Sequence, residues 1–207
     1  MHVPAKFDES EVDVLHQLMR AQPLATLVTL SPGGIEANHI PLHLSQEGDG
    51  SGVLRGHVAK ANPLWHEHPQ EAEVLAIFHG PQAYITPSWY PTKAVPTWNY
   101  AVAHAYGPLR TIHDPAWLLQ QLESLTDHSE TAFAERWQVA DAPQDYVEKQ
   151  LRAIVGIEIP IRRLIGKYKV SQNQPEKNQA GVYQGLRATG QAAAQDMAAL
   201  VQSKGAF

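Results

Sequence analysis

The sequence predicts a mainly β fold with flanking helices, an α+β chain built on an antiparallel barrel or sandwich. Three observations predict it. Six segments in the first 110 residues carry strand-like patterning and are joined by short turns rich in glycine and proline. Little helix separates them, which argues against a βαβ arrangement. The second half changes character and reads mostly as amphipathic helix.

Taken in order, Asp8 to Ala21 is expected as a helix, with Asp8 as N-cap, Glu11 three residues on, and Val14, Leu15, Leu18 and Met19 as its apolar stripe. Pro23 stops it. Leu24 to Leu30 reads as a strand ended by the turn S-P-G-G, and Ile35 to Leu44 as its antiparallel partner. Glu47 to Gly52 is a glycine-rich turn, and Val53 to Val58 a third strand. Asn62 to His68 is a short turn or helix opened by Asn-Pro. Val74 to His79 and Ala83 to Thr86 read as a fourth and a fifth strand around Gly-Pro. Thr97 to Arg110 makes the sixth.

Asp114 to Thr126 is an amphipathic helix opened by Asp-Pro, with Leu118, Leu119, Leu122 and Leu125 on one stripe. Thr126 to Gln138 is polar, anchored by Phe133 and Trp137. Pro143 to Leu151 is a further helix. Ala153 to Ile161 alternates as a strand that returns to the sheet, and Ile165 to Val170 extends it. Glu176 to Arg187 and Gln191 to Ser203 are terminal helices either side of Gly190. The chain is expected as one domain over 1–207, with most barrel strands in 1–112 and helical additions plus returning strands near 153–170 in 113–207.

The stretch Tyr84 to Gly107 organises the chain. Pro87, Pro91 and Pro96 forbid a helix through its first half. In its second half Trp98, Tyr100, Val102 and His104 fall on one face and Asn99, Ala101, Ala103 and Ala105 on the other. Two readings stand. The stretch is a rigid aromatic corner over a β-core, or a wall for a planar ligand with Ser88, Lys93 and Asn99 as polar contacts. The alanine face suits a flat ligand or close sheet packing.

Composition narrows the classes. Hydrophobic residues make up 43% and charged residues 18% of the 207, so the chain is globular. A net charge of −5 disfavours a broad nucleic-acid footprint. Without cysteine there is no disulfide, thiol chemistry or thiolate metal ligand. The first residues lack the apolar core of a signal peptide, and no apolar run is long enough for a membrane span; a cytoplasmic protein is expected. The eleven histidines invite a metal site. However, His39 and His43 lie about 13 Å apart along a strand, too far to share one ion. His66 and His68 have no third ligand in view. No nucleophile-elbow or glycine-rich nucleotide motif is present. One segment remains, Leu54 to Pro63, which places Arg55, His57 and Lys60 near a strand end ahead of Asn62-Pro63. Cations beside free backbone N–H groups there can hold a phosphate.

L-R-G-H-V-A-K-A-N-P-L-W (54–65), Y-I-T-P-S-W-Y-P-T-K (84–93) and V-P-T-W-N-Y-A-V-A-H-A-Y-G (95–107) resemble the PaiB-like family of FMN-binding negative transcriptional regulators. F-D-E-S (7–10), A-I-V-G-I-E-I (153–159) and K-Y-K-V-S-Q-N (167–173) are similar as well, so the likeness spans nearly the whole chain. The resemblance implies a split antiparallel β-barrel of the flavin-reductase and pyridoxamine-phosphate-oxidase type, with FMN in a groove between the subunits of a homodimer. By match, Arg55, His57, Val58, Ala59, Lys60 and Asn62 are the expected cofactor residues on the third strand and its turn. Lys60 is the expected phosphate cation, Asn62 a donor, and the Gly56–Ala59 backbone lies near the ring. Ser88, Trp89, Lys93, Trp98 and Asn99 are expected partly from the opposite subunit. In the family pattern extra residues often separate P-[ST]-K from V-P-T-W; here only Ala94 intervenes. The implied function is a flavin-dependent redox or regulatory protein. Direct DNA-binding repression and haem binding are the alternatives. No helix-turn-helix is evident, and the basic cluster Arg162, Arg163, Lys167 and Lys169 sits on a strand and its turn.

Overall fold

A computed structural model describes residues 1–45, 51–93 and 95–207; most of the turn expected at Glu47 to Gly52, and the single residue Ala94, lie outside them. The elements in order are β1 (Asp8–Glu9), α1 (Val12–Ala21), β2 (Leu24–Ser31), β3 (Gly34–Pro41), β4 (His43–Ser45), β5 (Val53–Ala59), α2 (Leu64–Glu67), β6 (Glu73–Ile85), β7 (Thr97–Pro108), β8 (Arg110–Ile112), α3 (Pro115–Glu130), α4 (Gln144–Leu151), β9 (Ile154–Pro160), β10 (Arg163–Lys169), α5 (Glu176–Ala188) and α6 (Ala192–Lys204). The chain is mixed α+β, with two antiparallel sheets that share no ladder among the described residues. No helix among those residues is long and apolar enough to cross a membrane.

The chain divides into two compact units. The first comprises Met1–Leu18, His79–Ala103 and Ile165–Phe207. Its strands neighbour one another in the order β1, β10, β7, β6. Here Asp8 does not cap a helix, contrary to expectation. Asp8 and Glu9 pair antiparallel with Lys167 and Gly166 of β10, and α1 begins only at Val12. The reason is Glu9, whose buried carboxylate accepts the Glu11 N–H at 3.1 Å and meets Lys204 Nζ at 2.5 Å. The Gly80-Pro81 pair is likewise no turn; β6 runs unbroken for 13 residues. Gly80 serves close packing, since a Cβ there would stand 2.5 Å from Leu18 Cδ1 and 3.2 Å from Ala101 Cβ. Asn99, Ala101 and Ala103 of β7 are buried, so the small-residue face is a packing face. Helices α5 and α6 bury Val182, Leu186, Met197, Ala198 and Val201.

The second unit comprises Met19–Phe78 and His104–Leu164. In it β6, β2 and β3 are neighbours, and β4, β5, β9 and β8 form the four-stranded sheet. The β2–β3 hairpin pairs Leu24 with Pro41 through Ser31 with Gly34. Its turn needs glycine because Gly34 has φ +117°. The expected strand Ile35 to Leu44 is two strands. Pro41 has no N–H for a ladder, and Leu42 donates instead to Pro23 O at 2.8 Å, after which β4 joins β5. The sixth strand also breaks, at Leu109, whose N–H donates to Ala72 O. β10 is no extension of β9 but a separate strand. Helix α3 runs on to Glu130, capped by Asp114 accepting the Ala116 N–H at 3.0 Å. Phe133 and Trp137, expected as anchors, are 60% and 47% exposed, and the Trp137 N–H donates to Glu130 Oε2 at 3.1 Å.

Candidate functional site

In the second unit, β5 alternates cleanly. Leu54, Gly56 and Val58 face inward, while Arg55 and His57 project from the other face. β5 pairs with β9 along its full length, from Val53 with Pro160 to Ala59 with Ile154. This register sets Arg55 opposite Glu158, and Arg55 Nε donates to Glu158 Oε2 at 3.0 Å. The Arg55 guanidinium lies 5.8 Å from the Trp117 ring of α3. His57 Nδ1 donates to Gln121 Oε1 of the same helix at 2.9 Å. Both side chains are therefore committed to neighbours. Val58 is buried, and Ala59 closes the strand.

Lys60 differs. Its N–H donates to Ala153 O at 2.8 Å and its carbonyl accepts Trp65 Nε1 at 2.9 Å, so its backbone is pinned. Its ammonium has no hydrogen bond or ion pair among the described residues and stands on the rim of a groove of about 310 Å³ beside His113, Leu118 and Glu148. Asn62 supports the turn. Its Oδ1 accepts the Leu64 N–H and its Nδ2 donates to Asn38 Oδ1, both at 2.9 Å. The same unit holds a half-buried histidine pair, His43 and His128, with rings edge to face at 5.8 Å. Burial pushes the His43 pKa down, and His128, Arg20 and Arg55 push it further the same way.

In the first unit, Pro87–Trp89 forms a 3-10 turn. Thr86 Oγ1 accepts the Ser88 N–H at 3.3 Å and lies 2.9 Å from Ser88 Oγ. Trp89 is clamped by α5. A Cβ on Gly181 would fall 2.1 Å from the Trp89 carbonyl oxygen, and one on Gly185 would fall 2.2 Å from its indole. The indole thus packs flush on the helix. Lys93 is exposed and unpaired among the described residues. Trp98 is 56% exposed and meets Tyr84 edge to face at 5.9 Å. Asn99 is buried and donates through Nδ2 to Ser171 Oγ at 2.9 Å. Next to it stands Lys169, a residue the sequence reading did not single out as a ligand contact. Its Nζ donates to Trp98 O at 2.8 Å and to Thr97 Oγ1. Burial lowers the pKa of its amine, Lys167 lowers it too, and Tyr100 opposes. Lys169 and Ser171 come from K-Y-K-V-S-Q-N, a stretch legible as a motif but silent about its chemistry.

The fold matches those of known flavin proteins. The flavocytochrome Anf3 of Azotobacter vinelandii superposes with a TM-score of 0.59 at 16% identity, over 81% of this chain and 72% of that one. An FAD- and haem-binding protein of Mycobacterium smegmatis gives 0.56 at 18% identity, over 78% and 73%. The fold class is thus the split barrel of flavin-binding proteins. A family model described as "Putative FMN-binding domain" matches residues 1–163. An uncharacterised protein of Emericella nidulans is 38% identical over 99% of this chain and 98% of its own. The protease synthase and sporulation protein PAI 2 of Bacillus subtilis is 30% identical over 99% and 98%. The chain belongs to this PaiB-like family of FMN-binding proteins, and FMN is its cofactor. It is a flavin-binding redox or regulatory protein.

The residues present fit FMN. Lys60 offers a cation at a strand end with no partner among the described residues, and Trp98 with Tyr84 offers aromatic surface that is about half exposed. Arg55 suits the phosphate less, because Glu158 already neutralises it. Trp89 is fixed against α5 and shapes the loop.

Proposed function

We propose that the whole chain, 1–207, acts as one flavin-binding domain and that FMN is held between two copies of it. Lys60 takes the phosphate where β5 ends, with the Val58–Ala59 backbone alongside; Trp98 and Lys93 of the second copy face the ring. The observation that carries this reading is the Lys60 ammonium, pinned by its backbone yet without a partner among the described residues. Asn62 acts as a brace for that turn, holding Asn38 and the start of α2. Arg55 and His57 sit behind it and keep β5 attached to β9 and α3. Bound FMN supplies electron transfer that side chains lack, and the chain supplies binding and orientation. The Bacillus subtilis relative is named for protease synthesis and sporulation, and a regulatory output is the reading taken here from that name. Direct DNA contact has little support. Arg163 lies 3.6 Å above the Tyr106 ring and pairs with Glu73, and Lys167 donates to His2 O.

Titration of FMN into Lys60→Ala tests the reading. Loss of a charge-assisted contact weakens binding by about 1.5–3 kcal/mol. An affinity equal to the wild type's would place the phosphate elsewhere.

A further inference from the structure

A cavity of about 400 Å³ in the first unit is not accounted for by any of this. Tyr90, Val95, Thr97, Asn99, Lys169 and Ser171 form most of its wall. All of them lie in that unit. Among the described residues the wall holds one cation and no carboxylate.

Lys169 sets the chemistry. An ammonium has three hydrogens. Two are spent on Trp98 O and Thr97 Oγ1, which leaves one for the cavity. No carboxylate neutralises this partly buried charge among the described residues, and a desolvated cation without an anion is costly. Ser171 marks the same place. It is a non-glycine residue at φ +67°, buried, with Oγ accepting from Asn99 at 2.9 Å. Such strain persists only where the surroundings over-determine it, and it gathers at ligand clamps. Its hydroxyl stands beside that of buried Tyr90. Tyr90 and Val95 supply the apolar side.

We infer that this cavity binds a small organic carboxylate, with the acid at Lys169 and the apolar body along Tyr90 and Val95. One ammonium matches one negative charge, and the wall has neither the arginine fork nor the second cation that suits a phosphate dianion. The inference does not rest on Lys60 as the phosphate contact, but it requires that the flavin does not occupy this cavity.

Calorimetric titration of the FMN-loaded protein with benzoate tests it, with inorganic phosphate as the comparison. Benzoate binds, phosphate binds more weakly, and Lys169→Met lowers the benzoate affinity at least about tenfold, as expected for a lost charge-assisted bond. Absence of benzoate binding, or equal affinity in Lys169→Met, overturns the inference. So does tighter binding of phosphate. FMN titration of the same variant separates the two sites: loss of FMN would assign the cavity to the cofactor and overturn a separate carboxylate site. Should Lys169→Met fail to fold, reductive methylation of the native protein replaces it. Benzoate then protects Lys169, read by peptide mass spectrometry, and equal labelling with and without benzoate refutes the site.

Discussion

His43 shows how one residue's surroundings become a property of the whole chain. It is half-buried, edge-on to His128, and close to Arg20 and Arg55. Each neighbour disfavours its imidazolium, so the folded chain holds its pKa below the usual 6.5. Below pH of about 6.5 the unfolded chain therefore binds more protons at this site than the folded one, and stability falls with pH until the folded pKa is passed. Urea denaturation between pH 7 and pH 5 should show this loss in the wild type and a shallower one in His43→Gln. Parallel pH profiles would remove His43 as the cause. Lys60 and Arg55 make the complementary point. Sequence presents both as strand-end cations, but their partners differ. Arg55 has a carboxylate directly across the ladder, while Lys60, five residues on, has left the sheet.

At the scale of elements, the Trp-rich loop and α5 act together. Gly181 and Gly185, one helical turn apart, let the Trp89 carbonyl and indole approach the helix backbone. Thr92 Oγ1 adds a bond to Asn178 Oδ1 at 2.9 Å. The Trp89–Thr92 segment is thus held from outside rather than by its prolines alone. Gly185→Ala pushes a methyl into the indole and should destabilise the protein by about 1–3 kcal/mol, the cost of overpacking. Thermal unfolding checks this, and an unaltered melting temperature would mean that Trp89 has room to move. A sequence reader sees G-V-Y-Q-G only as two poor helix formers; the reason for them is a tryptophan about ninety residues away. Likewise β7 was legible from its alternation, whereas the unbroken β6 was not. Gly80-Pro81 has the composition of a turn, and only contact with Leu18 and Ala101 reveals a packing role.

For the molecule as a whole, apolar surface is the main feature left unsatisfied. In the first unit Tyr84, Val95 and Trp98 are 49%, 76% and 56% exposed. In the second, Leu30 and Ile35 face each other across the hairpin and are 63% and 79% exposed. Surfaces of this kind mark contact with another chain, which agrees with the proposed homodimer. Sedimentation should return twice the chain's mass for the wild type. Trp98→Glu should shift the protein toward the monomer and weaken FMN binding with it. A monomeric wild type, or a dimeric variant with full FMN affinity, would defeat the shared site.

The sequence by itself determined the fold class, the order of most elements, the family and the cofactor. These depend on local periodicity, on turn residues and on long Trp- and Pro-rich motifs, all of which are written along the chain. Tertiary structure decided which charges are free. Arg55 and Glu158 are 103 positions apart, Lys169 and Thr97 are 72, and Asn99 and Ser171 are 72. Ion pairing and desolvation depend on distance through space, and that distance exists only after the strands have found their register.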